Sequence, residues 1–193
     1  NPSGLKCDMR EYQVEGVGWL HWLQSSNLGG CLADDMGLGT TVQTLALLQL
    51  NKETISPGEK TGINVPLTLF DVPSVNLTSL IIVPATIVYN WENEIRKFVP
   101  HMSVYSHKGV KRSKNASNFK YYDIILSSYH TVRQDIDFLS SYKFHYIILD
   151  ESQYIKNPAS MVYKSVTKLK SDYKLVLTGT PVENSLTDLW AQL

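Results

Sequence analysis

Three short polar stretches in this 193-residue chain contain residue types that bind phosphate groups and divalent cations. The first, "DDMGLGTT" at 34–41, has Gly37 and Gly39 one residue apart and ends on the hydroxyl of Thr41. A glycine-rich turn that leads into a helix directs backbone N–H groups toward a phosphate. The position before Thr41, where such a loop carries a lysine, holds Thr40. Taken alone, the stretch fits a phosphate-binding loop and a turn without a ligand about equally well.

The other two stretches are "DESQ" at 150–153 and "TGTP" at 178–181. Asp150 is suited to hold a Mg²⁺ ion through its water shell together with the Thr41 hydroxyl, and Glu151 is suited to polarise an attacking water molecule. Either stretch alone is also explained as an exposed acidic turn or as a turn that caps a helix. All three in this order, each after an apolar segment, predict a nucleotide-binding site.

Short apolar runs alternate with stretches of helical periodicity, which predicts strands alternating with helices. This alternation indicates an α/β fold, a three-layer αβα domain whose mostly parallel central sheet is covered by helices on both faces. Ligands bind such sheets at the carboxyl ends of the strands, where the three polar stretches fall. The segments predicted as strands are 29–33, 79–84, 102–106, 122–129, 144–150 and 173–181.

Helices are predicted over 11–26, 41–50, 85–100 and 130–141, followed by one that begins at Asn157 and Pro158 and one that runs through Trp190. All four tryptophans are expected in the core rather than stacked on bases. Residues 51–77 are expected to form a long connection or insertion, with a minor strand at 67–70. The apolar side chains expected to be buried are Val17, Leu20 and Trp22 or Leu23 in the first helix, Trp91, Ile95 and Phe98 in the third, and Val162, Val166 and Leu169 in the fifth.

The composition is that of an ordinary globular domain, with 43% hydrophobic residues, 19% charged residues and a net charge of zero. Any contact with nucleic acid must therefore come from a local basic patch. The stretch 107–120, with five lysine and arginine residues, is either such a patch or a solvated surface loop, and the second is favoured. No apolar run approaches the roughly 18 residues of a membrane span. We expect an intracellular protein, nuclear in a eukaryote and cytoplasmic or nucleoid-associated in a bacterium.

The ordered motifs resemble those of the Swi2/Snf2 family of helicase-like ATPases over nearly the whole chain. The family's N-terminal motif is matched by "LKCDMREYQVEGVGWL", motif I by "LADDMGLGTT", and motif Ia by "LIIVPATIVYNWENEIRKFVP". Motif Ib is matched by "DIILSSYHTVRQD", motif II by "HYIILDESQYIKNPAS" and motif III by "LVLTGTPVENSLTDLWAQL". The resemblance implies that residues 1–193 form the N-terminal RecA-like lobe of such an ATPase and that the second lobe is absent from this sequence.

The resemblance also implies roles for individual residues. Gln13 would recognise the edge of the adenine with Arg10 nearby, and Thr41 and Asp150 would coordinate Mg²⁺. Glu151 and Gln153 would complete the catalytic set with Asp150. Coupling between the ATP site and the DNA-facing side is assigned to Gln153 and to motif III, namely Thr178, Gly179 and Thr180. The residues that would hold the phosphates are Asp35, Met36, Gly37, Leu38, Gly39, Thr40 and Thr41.

The activity that the resemblance implies is ATP-driven translocation on double-stranded DNA, often to remodel DNA–protein complexes. The ends of motifs Ia and Ib would face the DNA backbone, which makes Lys97 and Arg133 candidate contacts. Lys111 and Arg112, from the basic stretch 107–120, are further candidates. The implied cofactors are ATP and Mg²⁺, and the implied partners are double-stranded DNA, the second RecA-like lobe and DNA-bound proteins.

Thr40 limits the activity that can be expected. A threonine is neutral and too short to replace a lysine that reaches the β- and γ-phosphates, and losing such a charge typically costs a factor of about a hundred to a thousand in rate. Two hypotheses follow: an ATPase lobe that is inactive as written, with Thr40 a natural variant or an introduced change, and a non-catalytic pseudo-ATPase module that binds DNA or protein. Because Thr41, Asp150 and Glu151 are all retained, the first is favoured. A P-loop kinase or GTPase is poorly supported, because no guanine-recognition pattern is present.

Overall fold

The computed structural model of the chain describes residues 2–33, 39–55, 75–155 and 157–179. Within these ranges the strands are β1 (Gly30–Ala33), β2 (Ser79–Val83), β3 (Val104–His107), β4 (Ile124–Ser128), β5 (Lys143–Leu149) and β6 (Lys170–Thr178). They form a six-stranded sheet in the order β1-β6-β5-β2-β4-β3, and every neighbouring pair is parallel. The predicted α/β fold with a parallel sheet is confirmed.

One helix precedes β1, and the others lie between successive strands. The helices are α1 (Glu11–Ser25), α2 (Thr40–Ile55), α3 (Val88–Phe98), α4 (Tyr129–Gln134), α5 (Ile136–Leu139) and α6 (Met161–Val166). Three 3-10 turns at Ala85–Ile87, Ala116–Tyr121 and Ser152–Ile155 complete the described elements. None of the helices in the described ranges is long and apolar enough to cross a membrane.

The sheet separates two hydrophobic cores. Alternate residues of β2 point to opposite faces, so that Ile81 and Val83 belong to one core while Leu80 and Ile82 belong to the other. Helices α1, α2 and α3 contribute to the first core, and helices α4, α5 and α6 contribute to the second. Burial on both faces explains why the strands are almost continuously apolar in sequence.

The tryptophan predictions are only partly confirmed. Trp91 on α3 is buried, with 3% of its surface exposed, but Trp19 and Trp22 on α1 are 44% and 58% exposed. Of the two alternatives predicted for the third buried position of α1, Trp22 or Leu23, the structure buries Leu23. The predicted core position of those two tryptophans is therefore wrong, because the buried face of α1 is narrower than its aromatic content suggests.

Three predicted helix boundaries are also wrong. Helix α2 continues to Ile55, so 51–55 are helical rather than part of a connection. The predicted helix over 130–141 is two short helices, which meet at Asp135. The N-cap of α6 is Ser160, whose side chain accepts from Tyr163 N, while Asn157 stabilises the preceding turn by accepting from Ala159 N at 2.9 Å. The predicted strand at 67–70 and the last predicted helix lie outside the described residues.

Candidate nucleotide site at the carboxyl edge of the sheet

The parallel register brings the ends of the three strands that lead into the predicted functional stretches side by side at the carboxyl edge of the sheet. Ala33, the last residue of β1, is paired in register with Thr178 at the end of β6. Leu149, which directly precedes Asp150, is paired with Val176 of β6. The end of β1, the end of β6 and the residues after β5 therefore lie at three neighbouring positions along this edge.

Gly39 and Gln13 meet where helix α2 begins. Gly39 has a φ of +86°, in the left-handed region that favours glycine, and a Cβ atom added there would collide with the Nε2 atom of Gln13. The Oε1 atom of Gln13 accepts a 2.9 Å hydrogen bond from the backbone N–H of Arg10. That bond fixes the amide so that Nε2 faces the glycine. The structure thus places the residue predicted to recognise adenine against the end of the predicted phosphate loop.

Asp150 begins a turn over 150–153, which we call the Asp150 turn. Its carboxylate Oδ2 accepts a 2.7 Å hydrogen bond from the indole Nε1 of Trp91, and Oδ1 accepts a 2.8 Å hydrogen bond from the backbone N–H of Glu151. Its backbone carbonyl accepts a 2.7 Å hydrogen bond from the hydroxyl of Tyr129. Within the described part of the chain, no lysine or arginine forms a salt bridge with Asp150 or Glu151.

Glu151 adopts a backbone conformation that is unusual for its residue type. Its φ of +51° lies in the left-handed region, which costs a non-glycine residue about 1–2 kcal/mol. The side chain of Glu151 accepts a hydrogen bond from Nε2 of Gln153. The remaining side-chain oxygen of Gln153 and the hydroxyl of Ser152 are buried without a hydrogen-bond partner among the described residues. A strained turn with unsatisfied polar atoms is typical of a functional site.

Burial and neighbouring charges shift the titration of the groups around this turn. Burial raises the pKa of the Asp150 carboxyl, and the negative charges of Glu151 and Glu94 act in the same direction. The hydrogen bonds from Trp91 and from the Glu151 backbone oppose that rise without cancelling it. Burial, aided by the charges of Asp150 and Glu151, also raises the pKa of Tyr129 well above its usual value. The Tyr129 hydroxyl therefore stays protonated and donates a hydrogen bond at any ordinary pH.

The structure places the remaining predicted nucleotide residues as follows. Thr40 and Thr41 are half-buried in the first turn of α2, and Arg10 is exposed at the start of α1. Thr178 is buried at the end of β6, with Gly179 half-buried after it. The predicted residues that lie outside the described part of the chain are Asp35, Met36, Gly37, Leu38 and Thr180.

Two of the predicted DNA contacts are poorly suited to that role, Lys97 because of its position and Arg112 because of its partners. Lys97 lies in the last turn of α3, which ends shortly before β3 begins, and so it lies at the opposite edge of the sheet. There burial raises the pKa of the Cys7 thiol, and the positive charge of Lys97 partly opposes that rise. Arg112 donates hydrogen bonds to the buried carboxylate of Asp135 and has a side chain only 12% exposed. That pairing gives Arg112 an internal role, since its donors are occupied within the chain.

Arg133 and Lys111 remain compatible with a contact to a ligand. Arg133 is exposed on α4, which begins directly at the end of β4, and Lys111 is exposed in the segment that follows β3. Both segments start at the carboxyl edge of the sheet, the same edge as the Asp150 turn. Neither side chain forms a salt bridge within the described residues.

Trp91 and Tyr129 are the two site residues that the sequence did not reveal. The helical spacing of Trp91 indicated a core residue, which it is, but a buried indole N–H almost always has a hydrogen-bond partner. The need of the buried Trp91 N–H for a hydrogen-bond acceptor was the one sequence signal that a polar group lies next to Trp91. The apolar run predicts Tyr129 at the end of a strand, and nothing in its spacing indicates a contact with Asp150.

The comparisons with known proteins agree with this geometry. The profile of the SNF2-related domain matches residues 12–193. An uncharacterized ATP-dependent helicase of Mycoplasma genitalium is 41% identical over 187 residues, which are 95% of this chain and 16% of that protein. The chromatin-remodeling ATPase INO80 of Lodderomyces elongisporus is 35% identical over 205 residues, covering 100% of this chain and 12% of that protein. The Sulfolobus solfataricus SWI2/SNF2 ATPase core in complex with dsDNA has a TM-score of 0.81 and 36% identity, over 100% of this chain and 36% of that one.

A parallel sheet with this strand order and an acidic turn at its carboxyl edge defines a RecA-like lobe of the helicase-like ATPase class. The chain belongs to the SNF2-related domain family. The predicted family resemblance is therefore confirmed. The chain spans only 16% of the Mycoplasma helicase and 36% of the solved archaeal core. Membership of the family therefore does not by itself give this chain the activity of those longer proteins.

Proposed function

We propose that this chain is the N-terminal ATP-binding lobe of an ATP-dependent translocase or remodelling ATPase that acts on double-stranded DNA. The observation that carries the proposal is the convergence of Gly39 and Gln13 with Asp150 and Glu151 at one edge of the sheet. The names of the relatives support it, since they include ATP-dependent helicases, a chromatin-remodeling ATPase and an ATPase core bound to dsDNA.

Different residues of the chain would bind different parts of ATP. The Gln13 amide, which accepts a hydrogen bond from the backbone of Arg10, would recognise the adenine. The N-terminus of α2 would bind the phosphates together with residues 35–41, because the first N–H groups of a helix have no partner within it. Glu151 would orient the attacking water, and the contact from Gln153 would position the Glu151 carboxylate.

The residues present fit a Mg²⁺ ion. Asp150 and Glu151 are adjacent acids without a basic partner among the described residues, and both oxygens of Asp150 accept hydrogen bonds from neutral N–H groups only. A hard cation with oxygen ligands would compensate this charge. Asp150 and the Thr41 hydroxyl would hold it, and the ion would neutralise negative charge on the phosphates.

We further propose that Thr40 prevents hydrolysis. Its side chain carries no charge that could reach a transferred phosphoryl group, whereas binding through backbone N–H groups is retained. The chain should accordingly bind Mg·ATP weakly and turn it over at a rate lower by a factor of about a hundred or more. The alternative function, a pseudo-ATPase module that binds DNA or protein, is favoured by Thr40 alone.

The experiment compares the full-length protein with its Thr40→Lys variant by measuring phosphate release with and without double-stranded DNA. A matched control is Thr54→Lys, which adds the same charge at the exposed far end of α2. DNA-stimulated hydrolysis that appears only in Thr40→Lys supports the proposal. If Thr40→Lys remains inactive in a protein that contains both RecA-like lobes, the enzyme hypothesis fails and the pseudo-ATPase hypothesis replaces it.

Contact with DNA is proposed through Arg133 and Lys111 rather than through Lys97 or Arg112. Alanine at either of the first two positions should weaken binding to all DNA sequences alike and reduce the salt dependence by about one counterion. Alanine at Lys97 should leave DNA affinity unchanged. Equal losses at Lys97 and Arg133 would contradict this assignment.

A further inference from the structure

One side chain of helix α4 contacts the Asp150 turn in two ways. Tyr129 is the first residue of α4 and is buried, and its hydroxyl donates a 2.7 Å hydrogen bond to the carbonyl of Asp150. Its ring is nearly parallel to that of Tyr154, at an angle of 11° with the ring centres 6.3 Å apart. Since Tyr154 lies in the 3-10 turn Ser152–Ile155, Tyr129 holds both the start and the continuation of the Asp150 turn.

The turn that Tyr129 contacts is strained and depends on its neighbours. The left-handed conformation of Glu151 persists only where surrounding contacts compensate its cost. The contacts that do so are the hydrogen bond from the Glu151 backbone N–H to the Asp150 carboxylate, the one from Gln153 to Glu151, and those from Trp91 and Tyr129 to Asp150. The last two come from other helices, and of these two only the Tyr129 bond is made to the backbone of the turn. A displacement of α4 would therefore alter the backbone that carries both acidic side chains.

Helix α4 also has a side that faces away from the turn. His130 and Arg133 on α4 are exposed, while the N-terminus of the helix is fixed by Ser128, whose side chain accepts a hydrogen bond from Thr131 N. A short capped helix moves as a unit, so that a force on Arg133 reaches Tyr129 at its first residue. The exposed face and the Asp150 turn are thus the two ends of one rigid element.

We propose that Tyr129 is a positioning residue that makes nucleotide affinity depend on whether DNA is bound to the exposed face of α4. This inference rests on the proposed function, because it needs both ligands to bind. The coupling is reciprocal: a ligand that shifts α4 changes nucleotide affinity by the same factor by which the nucleotide changes affinity for that ligand.

The test measures that factor in the full-length protein carrying Thr40→Lys, so that the missing lysine does not obscure phosphate binding. The probe is a methylanthraniloyl-labelled, non-hydrolysable ATP analogue with Mg²⁺, titrated with and without a saturating blunt-ended DNA duplex. Tyr129→Phe keeps the ring next to Tyr154 and removes the hydroxyl. The control is Tyr146→Phe, which removes the hydroxyl of an equally buried tyrosine that donates to Gln24 at 3.2 Å on the other face of the sheet.

The ratio of the two nucleotide dissociation constants separates positioning from a general structural effect. A hydroxyl that only stabilises the fold changes both constants equally and leaves their ratio intact. We expect a ratio of about 5–150 in the parent protein, a decrease of about fivefold in Tyr129→Phe, and no change in Tyr146→Phe. The inference is overturned if Tyr129→Phe keeps the parent ratio, or if the parent binds both ligands with a ratio of one. Absence of nucleotide binding in the parent overturns the proposed function itself.

Discussion

Replacing Asp135 by asparagine tests a buried charged cluster beside the basic stretch 107–120. The Asp135 side chain lies between α4 and α5 and is only 2% exposed. Its Oδ2 accepts hydrogen bonds from His107, at 2.8 Å, and from Nε of Arg112, while its Oδ1 accepts from Nη2 of Arg112 at 3.1 Å. Asparagine keeps the size of the side chain, but it removes the charge and replaces one acceptor by a donor.

The expected loss of stability follows from what remains around Arg112. Removing one partner of a buried ion pair typically costs about 3–5 kcal/mol. Arg112 would keep the Gly109 carbonyl, at 2.6 Å, and the Gln134 side-chain oxygen, at 3.0 Å, and its side chain is 12% exposed. The loss should therefore lie near the lower end, at about 3 kcal/mol, a large part of the roughly 5–15 kcal/mol that stabilises a domain.

The assay is urea unfolding of the chain at pH 7, followed by circular dichroism. The matched control is Asp137→Asn, which removes the same charge from an exposed position two residues further along and should change the unfolding free energy by less than about 0.5 kcal/mol. A loss below about 1 kcal/mol for Asp135→Asn would refute the argument that Arg112 depends on this carboxylate. So would equal losses for the two variants.

Three further predictions concern the site and its surroundings. Gly39→Ala should destabilise the chain by about 1–2 kcal/mol in urea unfolding, because φ is positive there and the added Cβ would meet Nε2 of Gln13. The control Gly18→Ala, on α1 with open space around it, should instead stabilise the chain by up to about 1 kcal/mol. Equal losses of stability in the two variants would contradict the argument that Gly39 requires a glycine. Trp91→Phe keeps an aromatic ring but removes the indole N–H that donates to the Asp150 carboxylate. The Mg²⁺ concentration needed for half-maximal nucleotide binding should therefore rise about fivefold. An unchanged Mg²⁺ concentration would show that this hydrogen bond does not orient the carboxylate. Burial lowers the pKa of His107, against the effect of the carboxylate beside it, so the unfolded state binds more protons and stability should fall as the pH drops below about 6.5; the fall between pH 7 and pH 5 should be smaller in His107→Gln, and identical slopes would count against this origin.

Much of the fold could be predicted from the sequence because the signals were local. Continuous apolar runs predicted the six strands, since residues buried on both faces of a parallel sheet leave no alternation. The polar stretches at the strand ends then predicted Asp150 and Glu151 at one edge. The order of strands in the sheet was not predictable in this way, because it depends on which crossovers pack and no single segment encodes it.

The wrong predictions concern side chains whose partners or burial depend on the tertiary fold. Asn157 has the residue type of an N-cap, but it stabilises a turn one step earlier and leaves the cap to Ser160. Arg112 looked like a surface cation, because a sequence pattern does not show that Asp135 is buried beside it. Trp22 looked like a core residue, but Leu23 takes the buried position on α1.

The pairing of β1 with β6 has a consequence for how the site comes into existence during synthesis. Within the described sheet, β1 pairs with β6 alone, and Gly30 and Leu175 are partners although most of the chain separates them. The strand that leads into the glycine-rich stretch must therefore wait, unpaired, until the last described strand has left the ribosome. Contacts between such distant residues close slowly, so the edge of the sheet that is proposed to bind phosphate should be the last part of this lobe to become native and the first to be lost on truncation.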